Sequence, residues 1–302
     1  MKILKRFMQF DIRTIIFFID MTFIIIAVGL FVLIIGSGIA IILNFSVPSQ
    51  KHYKTPKDDG IEFEEVRIPT FKNKQLFGWW IKADEIAPSI VLMHGWGKNS
   101  GHLMPYIKNL QGKGFNLLVF DSRNHGNSDR DNFSSMVKFA EDIHSCIDFI
   151  EEQPTAQKNN IFIIGMSIGG AASIYAAAND SRIKKIITIG APSSPEDIMA
   201  MHLRKKHFPQ LLIWIVFQFM QYRIGKRFSE ISAENNITKS KAKVLLIHGK
   251  DDKVVPFSQA GIILKAANQG QAKIWAIDGK WHNNCHYENG IWKKCISFLQ
   301  NQ

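Results

Sequence analysis

The 302-residue chain is 46% hydrophobic and 21% charged, which suits a globular protein with a large core and leaves no low-complexity tract. Its formal net charge of +11 favours an anionic membrane surface over nucleic acid, because no nucleic-acid-binding motif is present and the one dense basic run, Arg204-Lys205-Lys206, reads as a solvated helix face. Cys146, Cys285 and Cys295 form no C-x-x-C pair and no disulfide framework, so buried free thiols are expected and the count does not fix the compartment.

From Thr14 to Phe45 there is no Lys or Arg, and Asp20 is the only charge. A helix needs about 20 apolar residues to cross a bilayer. Residues 1–45 are therefore expected to form an uncleaved N-terminal membrane anchor, with the span at about 21–43 and Asp20 near the interface. The competing reading, a cleaved signal peptide, calls for a shorter apolar core ending in small residues. Lys2, Lys5, Arg6 and Arg13 before the span, against Lys51, Lys54 and Lys57 after it, lean towards a catalytic domain on the extracytoplasmic side, periplasmic in a bacterium.

Residues 46–60, rich in Pro, Lys and Asp, read as an exposed linker, and the main domain is expected over 61–302. Residues 62–69 and 76–82 predict a hairpin that turns at 71–75. Apolar runs of strand length then follow at 90–93, 115–120, 161–165, 183–189, 244–247 and 273–277. Helical patterns alternate with them at 104–113, 134–152, 168–178, 258–268 and 287–299. This order predicts an α/β fold with a mainly parallel sheet and helices on both faces. Residues 192–236 break the alternation, and a structureless loop of that length is improbable, so a helical insertion is expected there.

Gly165-Met166-Ser167-Ile168-Gly169 fits G-x-S-x-G between a predicted strand and a predicted helix. Small residues at both ends permit a tight turn with a nucleophilic serine at its tip. A serine hydroxyl needs a histidine to take its proton and an acid to orient that histidine, in the order serine, acid, histidine. The stretch from Ile247 to Pro256, His-Gly-Lys-Asp-Asp-Lys-Val-Val-Pro after Ile247, offers Asp251 and Asp252 as the acid. His282 and His286 are the histidines that follow the next strand.

These segments resemble the α/β-hydrolases of the serine-aminopeptidase-like (S33) or Bem46-like group, whose members often show H-G-x-x-D-x-x-V-P. Matched position by position, the resemblance places Asp252 on the acid. It also places His282, in Trp281-His282-Asn283, on the family's G-H-N, with Trp281 where small residues are usual. Phe120-Asp121-Ser122-Arg123-Asn124-His125-Gly126-Asn127-Ser128 is similar to the family's D-x-R-x-x-G-x-S loop, which implies structural roles for Arg123 and His125. Met93-His94-Gly95-Trp96-Gly97 has the form of the loop that supplies one oxyanion donor, implying Trp96 N–H with Ile168 N–H as the pair and His94 as a brace.

The resemblance spans about residues 61–300 and implies the α/β-hydrolase fold, with the insertion as a helical lid. It also implies a Ser167–Asp252–His282 triad, with no metal or organic cofactor. A His282/Cys285/His286 metal cluster lacks a fourth ligand. The expected activity is that of a membrane-anchored serine hydrolase cleaving a carboxylic ester or thioester, with a small or lipid-like acyl substrate. A serine peptidase acting on short peptides and a non-catalytic binding protein on the same scaffold are the alternatives. Oligomeric state carries no signal in the sequence.

Overall fold

Successive residues of a strand point to opposite faces, so a strand covered on both sides must be apolar throughout. Strand Asn116–Phe120 shows this: Leu117 and Val119 enter one core, while Leu118 and Phe120 enter the other. The computed structural model describes residues 12–44, 47 and 50–301. The strands are β1 (Glu64–Thr70), β2 (Lys74–Ile81), β3 (Ala87–Met93), β4 (Asn116–Phe120), β5 (Ala156–Met166), β6 (Ile183–Ile189), β7 (Lys243–Gly249) and β8 (Ala272–Ile277). They form one eight-stranded sheet in the order β1-β2-β4-β3-β5-β6-β7-β8. β2 runs antiparallel to β1 and β4, and the other neighbours are parallel. The expected mainly parallel sheet is thus present.

Helices α2 (Met104–Leu110), α3 (Met136–Glu151), α4 (Ile168–Ala177), α9 (Ser258–Ala266) and α10 (Ile291–Gln300) cover it. On one face Phe139, Ile143, Ile174 and Ile263 bring α3, α4 and α9 into one core; on the other Ile107, Leu110, Ile291 and Leu299 bring α2 and α10 into a second. At the start of α3 the Ser135 side chain accepts the Lys138 N–H, satisfying a donor that has no partner inside the helix.

The insertion is helical, as expected: α5 (Pro195–Lys205), α6 (Gln210–Ile224), α7 (Phe228–Ile231) and α8 (Ala233–Asn236). Ile213, Val216 and Phe217 form the buried side of α6, with Phe217 edge-on to Phe228 at 5.4 Å. Leu211, Trp214 and Tyr222 stay exposed on the other side. All three cysteines are buried free thiols, so Cys285 and Cys295 do not pair.

The N-terminal helix α1 (Ile12–Asn44) follows the apolar run, and its side chains are described without a break only from Ile16 to Val32, all of them exposed. Among the described residues no helix is long and apolar enough to cross a membrane, which leaves the span expected at about 21–43 without support from this helix. Lys2, Lys5 and Arg6, three of the charges that set the expected orientation, lie outside the described residues, as do residues 46, 48 and 49 of the expected linker and residue 302 of the expected main domain. The rest of that linker is only partly exposed, with Val47 and Pro56 buried, and it is tethered. His52 Nε2 lies 2.9 Å from Oδ2 of the buried Asp121, and Lys54 and Lys108 both reach Asp59.

Candidate active site

Ser167 stands between β5 and α4 with φ 53 and ψ −124, a conformation that costs a non-glycine residue energy and marks a chain bent sharply at one point. The flanking glycines make the bend possible. A Cβ on Gly165 would sit 2.6 Å from the Gly169 carbonyl oxygen, and one on Gly169 would sit 2.5 Å from that of His94. The Ser167 N–H donates to the Ile189 carbonyl at 2.8 Å, which ties the bend to the end of β6.

The residue after Ile189 links this turn to the next two side chains. A Cβ added to Gly190 would meet His282 Nδ1 at 3.0 Å and Asp252 Oδ2 at 3.3 Å. Asp252 follows β7, and its Oδ2 lies 2.6 Å from His282 Nδ1. Its Oδ1 accepts the N–H groups of Val254 and Val255, each at 2.9 Å. Burial pushes the Asp252 pKa up, but the hydrogen bonds from His248 and His282 outweigh it and hold the carboxyl well below the usual range. A carboxylate fixed in this way keeps the Nδ1 proton of a neutral imidazole, leaving its Nε2 free to accept one.

His248 is the histidine of the H-G-x-x-D-x-x-V-P stretch, which by itself assigns it no role. Its Nε2 lies 2.8 Å from the Val255 carbonyl and 3.5 Å from Asp252 Oδ2, so it clamps the loop that presents the carboxylate. His202 of α5 is a second residue that the sequence reading passed over. Burial first, then Lys205, Lys206 and His282, lowers its pKa, while a backbone hydrogen bond to Val254, beside Asp252, raises it. A third link is Ser193, whose N–H and hydroxyl both donate to Gln259 Oε1, at 2.9 and 2.8 Å, and pin the start of the insertion to α9.

The loop after β3 is braced by two buried histidines. His94 Nδ1 bonds the Gly95 carbonyl at 2.8 Å, so it carries the proton, and Nε2 accepts the Ser122 N–H at 3.0 Å. His125 repeats the arrangement, with Nδ1 on the Arg123 carbonyl at 3.0 Å and Nε2 accepting the Gly97 N–H at 3.2 Å. Burial lowers the pKa of both, His125 to about 3, so both rings are neutral. The Trp96 indole stacks on Phe139, 9° from parallel at 6.3 Å. Among the described residues, neither the Trp96 nor the Ile168 backbone N–H is given to an acceptor. The space beside Ser167 is tight on this side: a Cβ on Gly95 would lie 3.3 Å from Ser167 Cβ.

Arg123 is buried and bonds Asp142 through Nε at 2.6 Å and Glu141 through Nη2 at 2.5 Å. Burial pushes Asp142 up to about 6 against the pull of Arg123. Asp251 donates its N–H to the Lys280 carbonyl at 3.1 Å, and its side chain is exposed. The His286 ring lies 4.0 Å from that of Tyr287, tilted 45° to it, and Cys285 Sγ reaches the Trp281 carbonyl. The structure therefore brings Asp252, not Asp251, to His282, and keeps His286 out of that pair.

A family model described as the α/β-hydrolase fold matches residues 88–209. The chain is 24% identical over 262 residues to the protein bem46 of Schizosaccharomyces pombe, covering 84% of this chain and 82% of that one. It is 28% identical over 130 residues to the thiohydrolase aneE of Aspergillus aculeatus, covering 42% and 41% respectively. A solved esterase of Pyrococcus furiosus superposes with a TM-score of 0.69 at 23% identity, covering 84% of this chain and 96% of that one. Together with the sheet order, the match over residues 88–209 and these likenesses give the chain the α/β-hydrolase fold and support a hydrolase enzyme.

Proposed function

We propose that the chain is a membrane-anchored serine hydrolase that cleaves a carboxylic ester or thioester through an acyl-enzyme at Ser167. The observation that carries this reading is the 2.6 Å contact of His282 Nδ1 with Asp252 Oδ2, one residue along from the Ile189 carbonyl that holds Ser167. His282 Nε2 takes the Ser167 proton as Oγ attacks the acyl carbon. Asp252 stabilises the imidazolium that results. The backbone N–H groups of Trp96 and Ile168 receive the negative oxygen of the tetrahedral intermediate, a contribution worth about 10²–10³ in rate per donor. His282 then protonates the departing alkoxide or thiolate, and a water activated by the same nitrogen releases the acid and restores Ser167.

Relatives that are a thiohydrolase and an esterase support an oxygen or sulfur leaving group. The apolar α1 and the exposed Leu211 and Trp214 on the insertion favour a lipid-like acyl group met at a membrane. A fluorophosphonate probe should label the full chain and fail on Ser167→Ala; absence of labelling in the unaltered chain overturns the reading. A series of p-nitrophenyl esters beside aminoacyl-p-nitroanilides separates esterase from peptidase. A reporter fused at the C-terminus that is active only outside the cytoplasm tests the extracytoplasmic orientation.

A further inference from the structure

A cavity of about 530 Å³ lies between α1 and α6, and none of Ser167, Asp252 and His282 lines it. Its size falls within the range of about 300–1,000 Å³ of small-molecule sites. Ile35 and Ile39 of α1 face Ile215, Phe219, Met220 and Ile224 of α6 across it. Positions 215 and 219, and 220 and 224, are four residues apart, so each pair stacks along one side of its helix.

One part of the lining is cationic. Arg130 and Arg223 both border the cavity, Arg130 exposed and Arg223 half-buried with its guanidinium 4.8 Å from the Phe133 ring centre. Among the described residues neither arginine forms an ion pair. The bordering carboxylate, Asp131, is already taken by Lys138 at 2.5 Å and approached by Arg123 at 3.7 Å. Two guanidiniums without a carboxylate, beside a slot walled by Ile, Met and Phe, complement a molecule with an anionic head and a hydrocarbon tail.

We propose that this cavity binds a single-chain amphiphile, its tail between α1 and α6 and its carboxylate or phosphate on Arg130 and Arg223. The site is separate from the acyl-transfer residues, so occupancy does not depend on turnover. A fatty acid released by hydrolysis and a resident lysophospholipid present the same chemistry. In either case the ligand bridges the helix that precedes the domain and the helix of the insertion.

The test uses the full-length Ser167→Ala chain in zwitterionic nanodiscs with a diazirine-bearing palmitate. Saturable photolabelling of peptides from 210–224 or 33–47 is expected, and each methylene removed from the tail should weaken binding about four-fold. Arg130→Ala with Arg223→Ala should weaken it at least tenfold. Met220→Trp and, independently, Ile215→Phe should abolish it by filling the slot, with thermal melts checking that each variant is folded. Competition by palmitate alone assigns the site to a free carboxylate, and competition by lysophosphatidylglycerol as well assigns it to anionic heads in general. Equal competition by neutral hexadecanol, unsaturable labelling along α1, or unchanged affinity in the double arginine variant overturns the proposal. Because the serine is absent, failure here is distinct from failure of the acyl-enzyme reading.

Discussion

His282 Nδ1 and Asp252 Oδ2 lie 2.6 Å apart, and the carboxylate's other oxygen is fully engaged by two backbone N–H groups. Replacing Asp252 by Asn removes the charge and favours the wrong tautomer of His282. Turnover of a p-nitrophenyl ester should fall by up to about 10⁴-fold with little change in KM. Asp251→Asn, on an exposed neighbour, should stay within about two-fold of the unaltered enzyme, and a large loss there would reassign the acid.

Gly190 has φ 64, and a methyl group there would press on the imidazole at 3.0 Å. Gly190→Ala should therefore displace the His282 ring as well as strain the backbone by about 1–2 kcal/mol. We expect kcat to drop at least about tenfold, because small misplacements of a catalytic group are costly, with Tm lower by several degrees. Unchanged kcat at a lowered Tm would show that another contact positions the ring.

Acid should destabilise the fold through its neutral histidines. The His125 imidazole binds a proton at 6.5 when free but only at about 3 in the folded chain, because it is buried. Below pH 6.5 the unfolded chain thus holds a proton that the folded chain refuses, so stability falls as pH drops through 6.5 towards 3. One such group removes about 2 kcal/mol between pH 7 and pH 5. Urea denaturation at the two pH values should show this fall, and His125→Gln should reduce it by about that amount while its amide oxygen still accepts the Gly97 N–H.

Arg123 neutralises Asp142 where neither has access to water. Arg123→Met should lower stability by about 3–5 kcal/mol, since it strands a buried carboxylate. Adding Asp142→Asn should restore part of the loss, and denaturant midpoints of the single and double variants measure the recovery. A double variant no more stable than the single one would mean that Arg123 acts through Glu141 or the Lys138 carbonyl instead.

The strands around the site were legible because burial on both faces demands uninterrupted apolar runs, and 183–189 matches β6 residue for residue. Edges were harder to read. β5 begins at Ala156, five residues before its apolar run, because the polar Gln157–Asn160 stretch, with Asn159 at φ 55, bulges between the Ala156–Ala87 and Ile161–Ser89 pairings. The last helix begins at Ile291 instead of 287, since a short 3-10 turn at Cys285–Tyr287 is followed by an extended Glu288. At the site, Ser167 and the Asp252–His282 pair sat in motifs that the chain order could assemble. His248 sat in the same motif as Asp252 without a role attached, while His202, Gly190 and the Ser193–Gln259 link sat in none, and their importance arises from approaches between β6, α5 and α9 that no spacing in the sequence encodes.

The bend at Ser167 is gripped from three sides, by the Gly169 carbonyl below Gly165, the His94 carbonyl beside Gly169 and the Ile189 carbonyl on Ser167 itself. Each grip is backbone, so the position of Ser167 is indifferent to most side-chain changes around it. The turn that carries Ser167 and the helices of 192–236 are therefore held by different contacts. A designer wishing to redirect this enzyme could rewrite α5 and α6 without recalibrating the turn, whereas a methyl group at 165 or 169 would dismantle the catalyst without touching its substrate.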